Sequence, residues 1–156
     1  MSRALEALYL FAAIAPFEAL FGLAYGSPGP LVAYNVLVAL SPLLVAGYLA
    51  YRRVMLRGSL LLGLLGVVKT YTLIAYVPPV VSALVDSAVI VTLASLPLLP
   101  PGGGGLAKAA SFFSVLGSLF VLLRIPLLVA LGLLSWGFSL VLAGYSFQAS
   151  EEGAPN

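Results

Sequence analysis

Long apolar runs, separated by short joints rich in glycine and proline, follow one another along the whole chain. The runs are continuous and do not show the short alternating segments that are typical of membrane β-barrel strands. Backbone groups in lipid must be hydrogen-bonded within the protein, so apolar runs of about 20 residues predict membrane-spanning helices. The pattern therefore predicts an all-α, polytopic transmembrane helix bundle with short loops.

The joints place the ends of the predicted spans, because clustered Gly, Pro and Ser residues mark turns. They read "YGSPGP" at 25–30, "RRVMLR" at 52–57, "VPP" at 77–79 and "PLLPPGGGG" at 97–105. We expect a single membrane domain over 1–147, without room for a soluble domain, and a short polar cytoplasmic tail at 148–156. The predicted spans are about 4–25, 31–51, 58–77, 80–99, 106–123 and 126–147.

The last third of the chain allows two interpretations. From Ser111 to Phe147 the sequence is apolar for 37 residues, interrupted only by Arg124 shortly before Pro126. One helix of that length would extend about 55 Å, whereas the hydrocarbon core is about 30 Å thick. Two spans joined by a tight turn at "RIP" fit better, which gives six spans in total. Five spans, with Arg124 inside one long tilted helix, is the alternative.

Composition and charge predict location and orientation. The chain is 62% hydrophobic and 8% charged, far from the roughly 45–50% and about 25% of soluble domains. We therefore expect a multi-pass integral protein of the cell membrane. The basic joint with Arg52, Arg53 and Arg57 is predicted to be cytoplasmic, which places both termini on the same side. The first run contains Glu18 and lacks a small-residue cleavage site, so it is predicted to be a retained span rather than a signal peptide.

Residue content excludes several kinds of chemistry. The chain has no cysteine and no histidine, which rules out disulfides, a thiol nucleophile and His-ligated haem, zinc or copper. The "PGGGG" joint lacks the lysine of a phosphate-binding loop. We accordingly expect no catalytic residues, no cofactor, no metal and no nucleic-acid partner.

Few Asn, Gln and Met residues would also suit a thermophilic source, or arise by chance in a small apolar protein.

Two opposite charges stand inside the third and fourth spans. Lys69 is eight residues before Val77, and Asp86 is eight residues after Pro78. If the two spans turn tightly at that point, each charge lies about 12 Å from the turn. An isolated charge at the centre of a bilayer costs at least about 2.5–3.5 kcal/mol, and a matched pair removes much of that cost. The spacing therefore predicts an ion pair within this hairpin.

The same depth argument adds three polar residues to the pair. Glu18 is seven residues before the end of the first span, Asn35 is near the start of the second, and Arg124 is at the last turn. We predict that these residues form a polar cluster with Lys69 and Asp86 in the outer third of the bundle. The cluster is interpreted as a structural lock, as an outward-opening ligand or ion site, or as a proton relay. As a lock, it would pair Glu18 with Lys69 or Arg124, while Arg124 could instead snorkel to headgroups.

Two functional hypotheses follow, and a third is weaker. The first is a cofactor-free structural or accessory subunit of a larger membrane complex, such as a respiratory or transport assembly. Small residues at four-residue spacing, such as Ser114 and Ser118, indicate close helix packing within this chain or with another. The expected partners are the lipid bilayer and either other membrane subunits or further copies of the chain.

The second hypothesis is a small secondary transporter or channel, acting alone or as a homo-oligomer, with the polar cluster as its outward-facing vestibule. Pro42 and Pro97 would serve as its hinges. Spans two to four carry no acidic or basic residue between the cluster and their cytoplasmic ends, although a transport path usually needs polar groups along its length. The third hypothesis is an enzyme acting on a lipid headgroup, with Glu18 or Asp86 as its base. It lacks a nucleophile and a metal-binding set.

Overall fold

The computed structural model describes residues 2–99 and 104–152, and this part of the chain is helical without strands. Six of its helices are long and apolar enough to cross a membrane, which indicates a membrane-embedded, multi-pass protein. The six-span interpretation therefore describes the helices, and the five-span alternative is wrong. The helices are α1 (Ser2–Tyr25), α2 (Pro28–Arg52), α3 (Leu56–Ile74), α4 (Pro79–Ser95), α5 (Gly105–Leu122) and α6 (Pro126–Glu152).

The six helices form a closed ring in chain order. Each helix packs against the next, and α6 packs back against α1. Helix α4 also contacts α2 and α6, so it has the most neighbours in the bundle. From α1, the buried Tyr9 hydroxyl donates a hydrogen bond to the Leu93 carbonyl of α4 at 2.6 Å. The α1–α2, α3–α4 and α5–α6 turns lie together at one end, which we call the turn end.

The turn between α5 and α6 explains why this apolar stretch is two helices. Arg124 adopts a left-handed backbone conformation, with φ 61°. Its backbone N–H donates a hydrogen bond to the Val121 carbonyl at 3.2 Å. Pro126 then starts α6, where its missing N–H costs nothing. The α1–α2 turn is similar, because Gly26 has φ 63° and Pro28 starts the following helix.

Four helix ends differ from the sequence prediction by three residues or more. Helix α2 begins at Pro28 and not at 31, and α4 ends at Ser95, four residues before 99, where a 3₁₀ turn (Leu96–Leu98) follows. The other two are the ends of α3 and α6.

Helix α3 was expected to reach residue 77, but it ends at Ile74, and Ala75 is extended. Pro78 and Pro79 cannot donate the N–H groups that would continue the helix, so the helix stops before them. Helix α6 continues to Glu152, into the predicted tail from residue 148, whose Gln and Glu residues favour helix. The rest of that tail, and residues 100–103 of the predicted flexible joint, lie outside the described residues.

The tightest packing is between α5 and α6. A Cβ atom on Gly117 would lie 2.7 Å from the Gly132 carbonyl oxygen, and one on Gly132 would lie 2.6 Å from that of Gly117. The two backbones therefore touch at this crossing, as small residues allow in membrane helices. Beside it, the fully buried Trp136 donates to the Ser114 carbonyl and the Ser118 hydroxyl, each at 3.2 Å. The Ser114/Ser118 spacing thus marks an interface within this chain.

Candidate functional site

A charged pair joins α3 and α4 inside the bundle. Lys69 Nζ lies 2.6 Å from Asp86 Oδ1, and the two side chains are 0% and 9% exposed. Two residues of α2 complete the group. Lys69 Nζ donates to Asn35 Oδ1 at 3.0 Å, and the Tyr34 hydroxyl donates to Asp86 Oδ2 at 2.8 Å. These four residues, from three helices, are called the ion-pair cluster below.

Two consecutive residues of α2 bind opposite members of the pair, Asn35 the lysine and Tyr34 the aspartate. Lysine can only donate hydrogen bonds, so the Asn35 amide must turn its oxygen toward Nζ. Its nitrogen is held by the Leu31 carbonyl one turn earlier, at 3.0 Å. The Tyr34 ring centroid is 5.9 Å from Nζ, at the outer limit of a cation–π contact. Helix α2 therefore holds the ammonium and the carboxylate at once.

The central contact is an ion pair in which Lys69 Nζ lies within hydrogen-bonding distance of Asp86 Oδ1, at 2.6 Å. The other oxygen of the carboxylate accepts the hydrogen bond of Tyr34. Because the pair is neutral as a whole, burial costs far less than it would for either charge alone. Losing either charge would leave the other in an apolar interior.

Asn35, Lys69 and Asp86 meet as their depths indicated, and Tyr34 joins them although it was not predicted. Tyr34 is the seventh residue of α2. Its position next to Asn35, at nearly the same depth, was the available signal. A phenol inside a span needs a hydrogen-bond partner, and Asp86 supplies one.

Glu18 does not join the cluster. It is half-buried and lines a separate recess of about 380 Å³ together with Ile14, Phe17, Phe21 and Pro30. Among the described residues, the one ion pair is Lys69–Asp86, so Glu18 pairs with neither Lys69 nor Arg124. Equal depth was not sufficient, because α1 packs mainly against α2 and α6 and is not a neighbour of α3 in the ring.

Arg124 is also separate from the ion-pair cluster. It is exposed on the α5–α6 turn and lines a recess between α1, α4, α5 and α6. The five residues predicted as one cluster therefore occupy three places. Three residues form the buried site, and the two others line different recesses.

A polar recess adjoins the ion-pair cluster at the turn end. Its volume is about 490 Å³, and its lining includes Asn35, Thr72, Tyr76 and Ser82. Asn35 belongs to both the recess and the cluster, so the recess reaches the edge of the ion pair. In the opposite direction, α2, α3 and α4 carry no acidic or basic residue until the joint that holds Arg52. The three helices therefore offer no charged side chain between the site and that joint.

The arrangement can hold three helices together and can offer an amide and hydroxyl groups to a polar ligand. Among the described residues, no group of three or more acidic side chains is placed to hold a metal ion. No known protein family, curated protein or solved structure matches this chain.

Proposed function

We propose that this chain is a cofactor-free structural subunit of a larger membrane assembly, respiratory or transport, in which the ion-pair cluster fixes the packing of α2, α3 and α4. This proposal rests on the ion pair and hydrogen bonds that the four residues of the cluster make with one another. The Lys69 ammonium faces Asp86 and Asn35, and the second Asp86 oxygen is bonded by Tyr34. Both charges are thus committed to partners inside the chain, which suits a lock on helix register.

The outer surface of the bundle is consistent with an assembly role. Every helix presents large apolar side chains outward, which can face lipid acyl chains or the apolar helices of neighbouring subunits. One exposed example from each helix, in chain order, is Phe21, Val32, Leu64, Leu84, Phe112 and Phe138. A subunit of this kind would contribute packing surface to the assembly and no reacting group.

The polar recess beside Asn35 favours a second candidate, a small secondary transporter. Its lining offers an amide and hydroxyl groups, from Asn35, Thr72, Tyr76 and Ser82, to a polar substrate. In this mechanism a polar substrate would enter from the turn end and exchange partners with the ion pair. Helix movements about Pro42 and Pro97, which are both buried, would then open the site to the other side. The apolar inner halves of α2 to α4 weigh against it.

Replacing the pair with apolar residues separates the two candidates. We would cross-link native membranes that contain the wild type or the Lys69→Met/Asp86→Leu double variant. The protein would then be extracted in mild detergent, and the masses of the complexes would be measured. The structural proposal predicts a stoichiometric complex with a foreign subunit for both proteins, because apolar residues of similar volume can replace a buried pair. Recovery of the wild type without any stoichiometric foreign subunit would refute it.

A substitution in the polar recess provides a second test of the two candidates. Ser82 lines the recess but belongs to no contact of the ion-pair cluster. Ser82→Leu should therefore fill the recess and leave the lock intact. A structural subunit would keep its complex and would still complement a deletion strain. If this variant assembles normally but fails to complement, the recess has a function of its own, and the transporter is favoured.

A further inference from the structure

An apolar recess of about 550 Å³ lies at the turn end, between α1, α4, α5 and α6. It shares no residue with the ion-pair cluster, and α3 does not line it. Half of its ten lining residues are alanine or proline, so small side chains leave the space open. The lining consists of Leu20, Leu23, Ala24, Pro79, Ala83, Val121, Arg124, Pro126, Val129 and Ala130.

Arg124 is the one charged residue among those that line this recess in the described part of the chain, and it has no acidic partner there. Its side chain is exposed, and the single ion pair of the described residues is Lys69–Asp86. Gly26, at the corresponding turn after α1, has almost the same φ as Arg124. Glycine at position 124 would therefore be less strained than arginine. The chain nevertheless places a guanidinium at the end of two spans, where lipid headgroups are expected.

We propose that the recess binds an anionic phospholipid, with the lipid phosphate on the Arg124 guanidinium and the upper part of one acyl chain among the alanines and prolines. Arginine suits phosphate because its planar fork donates two parallel hydrogen bonds. The recess residues on α4, Pro79 and Ala83, are four residues apart, or about 6 Å along the helix axis. That depth accommodates the glycerol end of a lipid, and not a whole acyl chain.

Charge complementarity identifies the occupant as a lipid. An acyl chain is surrounded by apolar groups in the recess and in the bilayer alike, so the recess by itself gives little preference for one lipid over another. Selection must therefore come from the unpaired guanidinium, which favours a headgroup with a net negative charge over a zwitterionic headgroup whose own cation neutralises the phosphate. A neighbouring protein would need to supply both an apolar wedge and an acidic residue at this depth.

Native mass spectrometry of the detergent-solubilised protein tests the proposal. The protein would be titrated with phosphatidylglycerol and with phosphatidylcholine of identical acyl chains. We expect the first bound lipid to be phosphatidylglycerol, and Arg124→Gly to reduce that preference about fivefold, as for the loss of one interfacial arginine. The matched control is Arg53→Gly, because Arg53 has φ 56° at the end of α2 and lies outside the recess.

A second variant tests the recess without touching the charge. Ala130→Leu should fill the space and weaken the first binding step for both lipids, while Arg124 stays in place. Both glycine variants relieve a positive φ, so neither should unfold the bundle. Unchanged phosphatidylglycerol preference in Arg124→Gly, or unchanged binding in Ala130→Leu, would overturn the proposal. Cross-linking of a protein chain, instead of lipid, to a photoreactive residue at position 130 would do the same.

Discussion

Removing one partner of the Lys69–Asp86 pair should destabilise the bundle far more than removing both. Asp86→Asn keeps the size of the side chain and an oxygen for Tyr34, but it leaves the fully buried ammonium with Asn35 as its remaining partner. Lys69→Met leaves the Asp86 carboxylate with Tyr34 alone. The double variant Lys69→Met/Asp86→Leu removes both charges together.

The contacts give the expected magnitudes. Losing one partner of a buried ion pair costs about 3–5 kcal/mol, because the remaining charge is uncompensated. The double variant leaves only neutral groups, Tyr34 and Asn35, without their partners. Neutral hydrogen bonds between membrane helices average about 0.6 kcal/mol and reach about 1.7 kcal/mol. The double variant should therefore lose about 1–3 kcal/mol, and the coupling energy of the pair should be roughly 6 kcal/mol.

Trp136 provides the assay. It is the single tryptophan of the chain and is fully buried, so its emission should change as detergent micelles are titrated with a denaturing detergent. Helix content from circular dichroism must follow the same transition for two-state analysis to hold. The control cycle uses the neutral hydroxyl pair of Ser95 and Ser111, whose oxygens are 2.8 Å apart. Alanine at these two positions should give a coupling of only about 0.6 kcal/mol.

The cycle has a clear refuting result. If the double variant is as unstable as the sum of the two single variants, the coupling energy is zero. The 2.6 Å contact would then contribute nothing to stability, and the role of the cluster as a lock on α2, α3 and α4 would be wrong.

Two further predictions use the same unfolding titration. Gly117→Ala should cost about 1–3 kcal/mol, because its Cβ would lie 2.7 Å from the Gly132 carbonyl oxygen. Gly47→Ala is the matched control, since it has open space and should gain up to about 1 kcal/mol; equal stability of these two variants would contradict the close α5–α6 crossing. Tyr9→Phe should cost about 0.6–1.7 kcal/mol by removing the 2.6 Å bond to the Leu93 carbonyl; unchanged stability would show that this bond does not hold α1 to α4.

The features that the sequence predicted depend on distance along a helix. Helix rise relates residue number directly to depth, so the counts from Val77 to Lys69 and from Pro78 to Asp86 indicated that the two charges meet. Helix number followed from the same measure, since 37 residues are too many for one span. The end of α3 was placed three residues too far, because the effect of Pro78 and Pro79 on the preceding turn was underestimated.

The features that the sequence did not predict depend on the angular position of a residue around its helix. Glu18 was expected near Lys69 because their depths agree, yet α1 and α3 are not neighbours in the ring. Tyr34 went unnoticed for a related reason, since its contact with Asp86 requires knowing how α2 is rotated against α4. A long apolar run carries little amphipathic pattern, so its sequence does not reveal which face points inward.

The contacts of Lys69 also have a consequence for biosynthesis. Helix α3 has the lowest mean hydropathy of the six, 1.3, and Lys69 opposes its membrane insertion, at a cost below the roughly 2.5–3.5 kcal/mol of a lysine at the helix centre. Asp86 is the partner that compensates this charge, and it is synthesised 17 residues later. We therefore expect α3 to leave the insertion channel together with α4, as a hairpin. Glycosylation mapping of a chain truncated after Val77 checks this, because full insertion of α3 without α4 would contradict it.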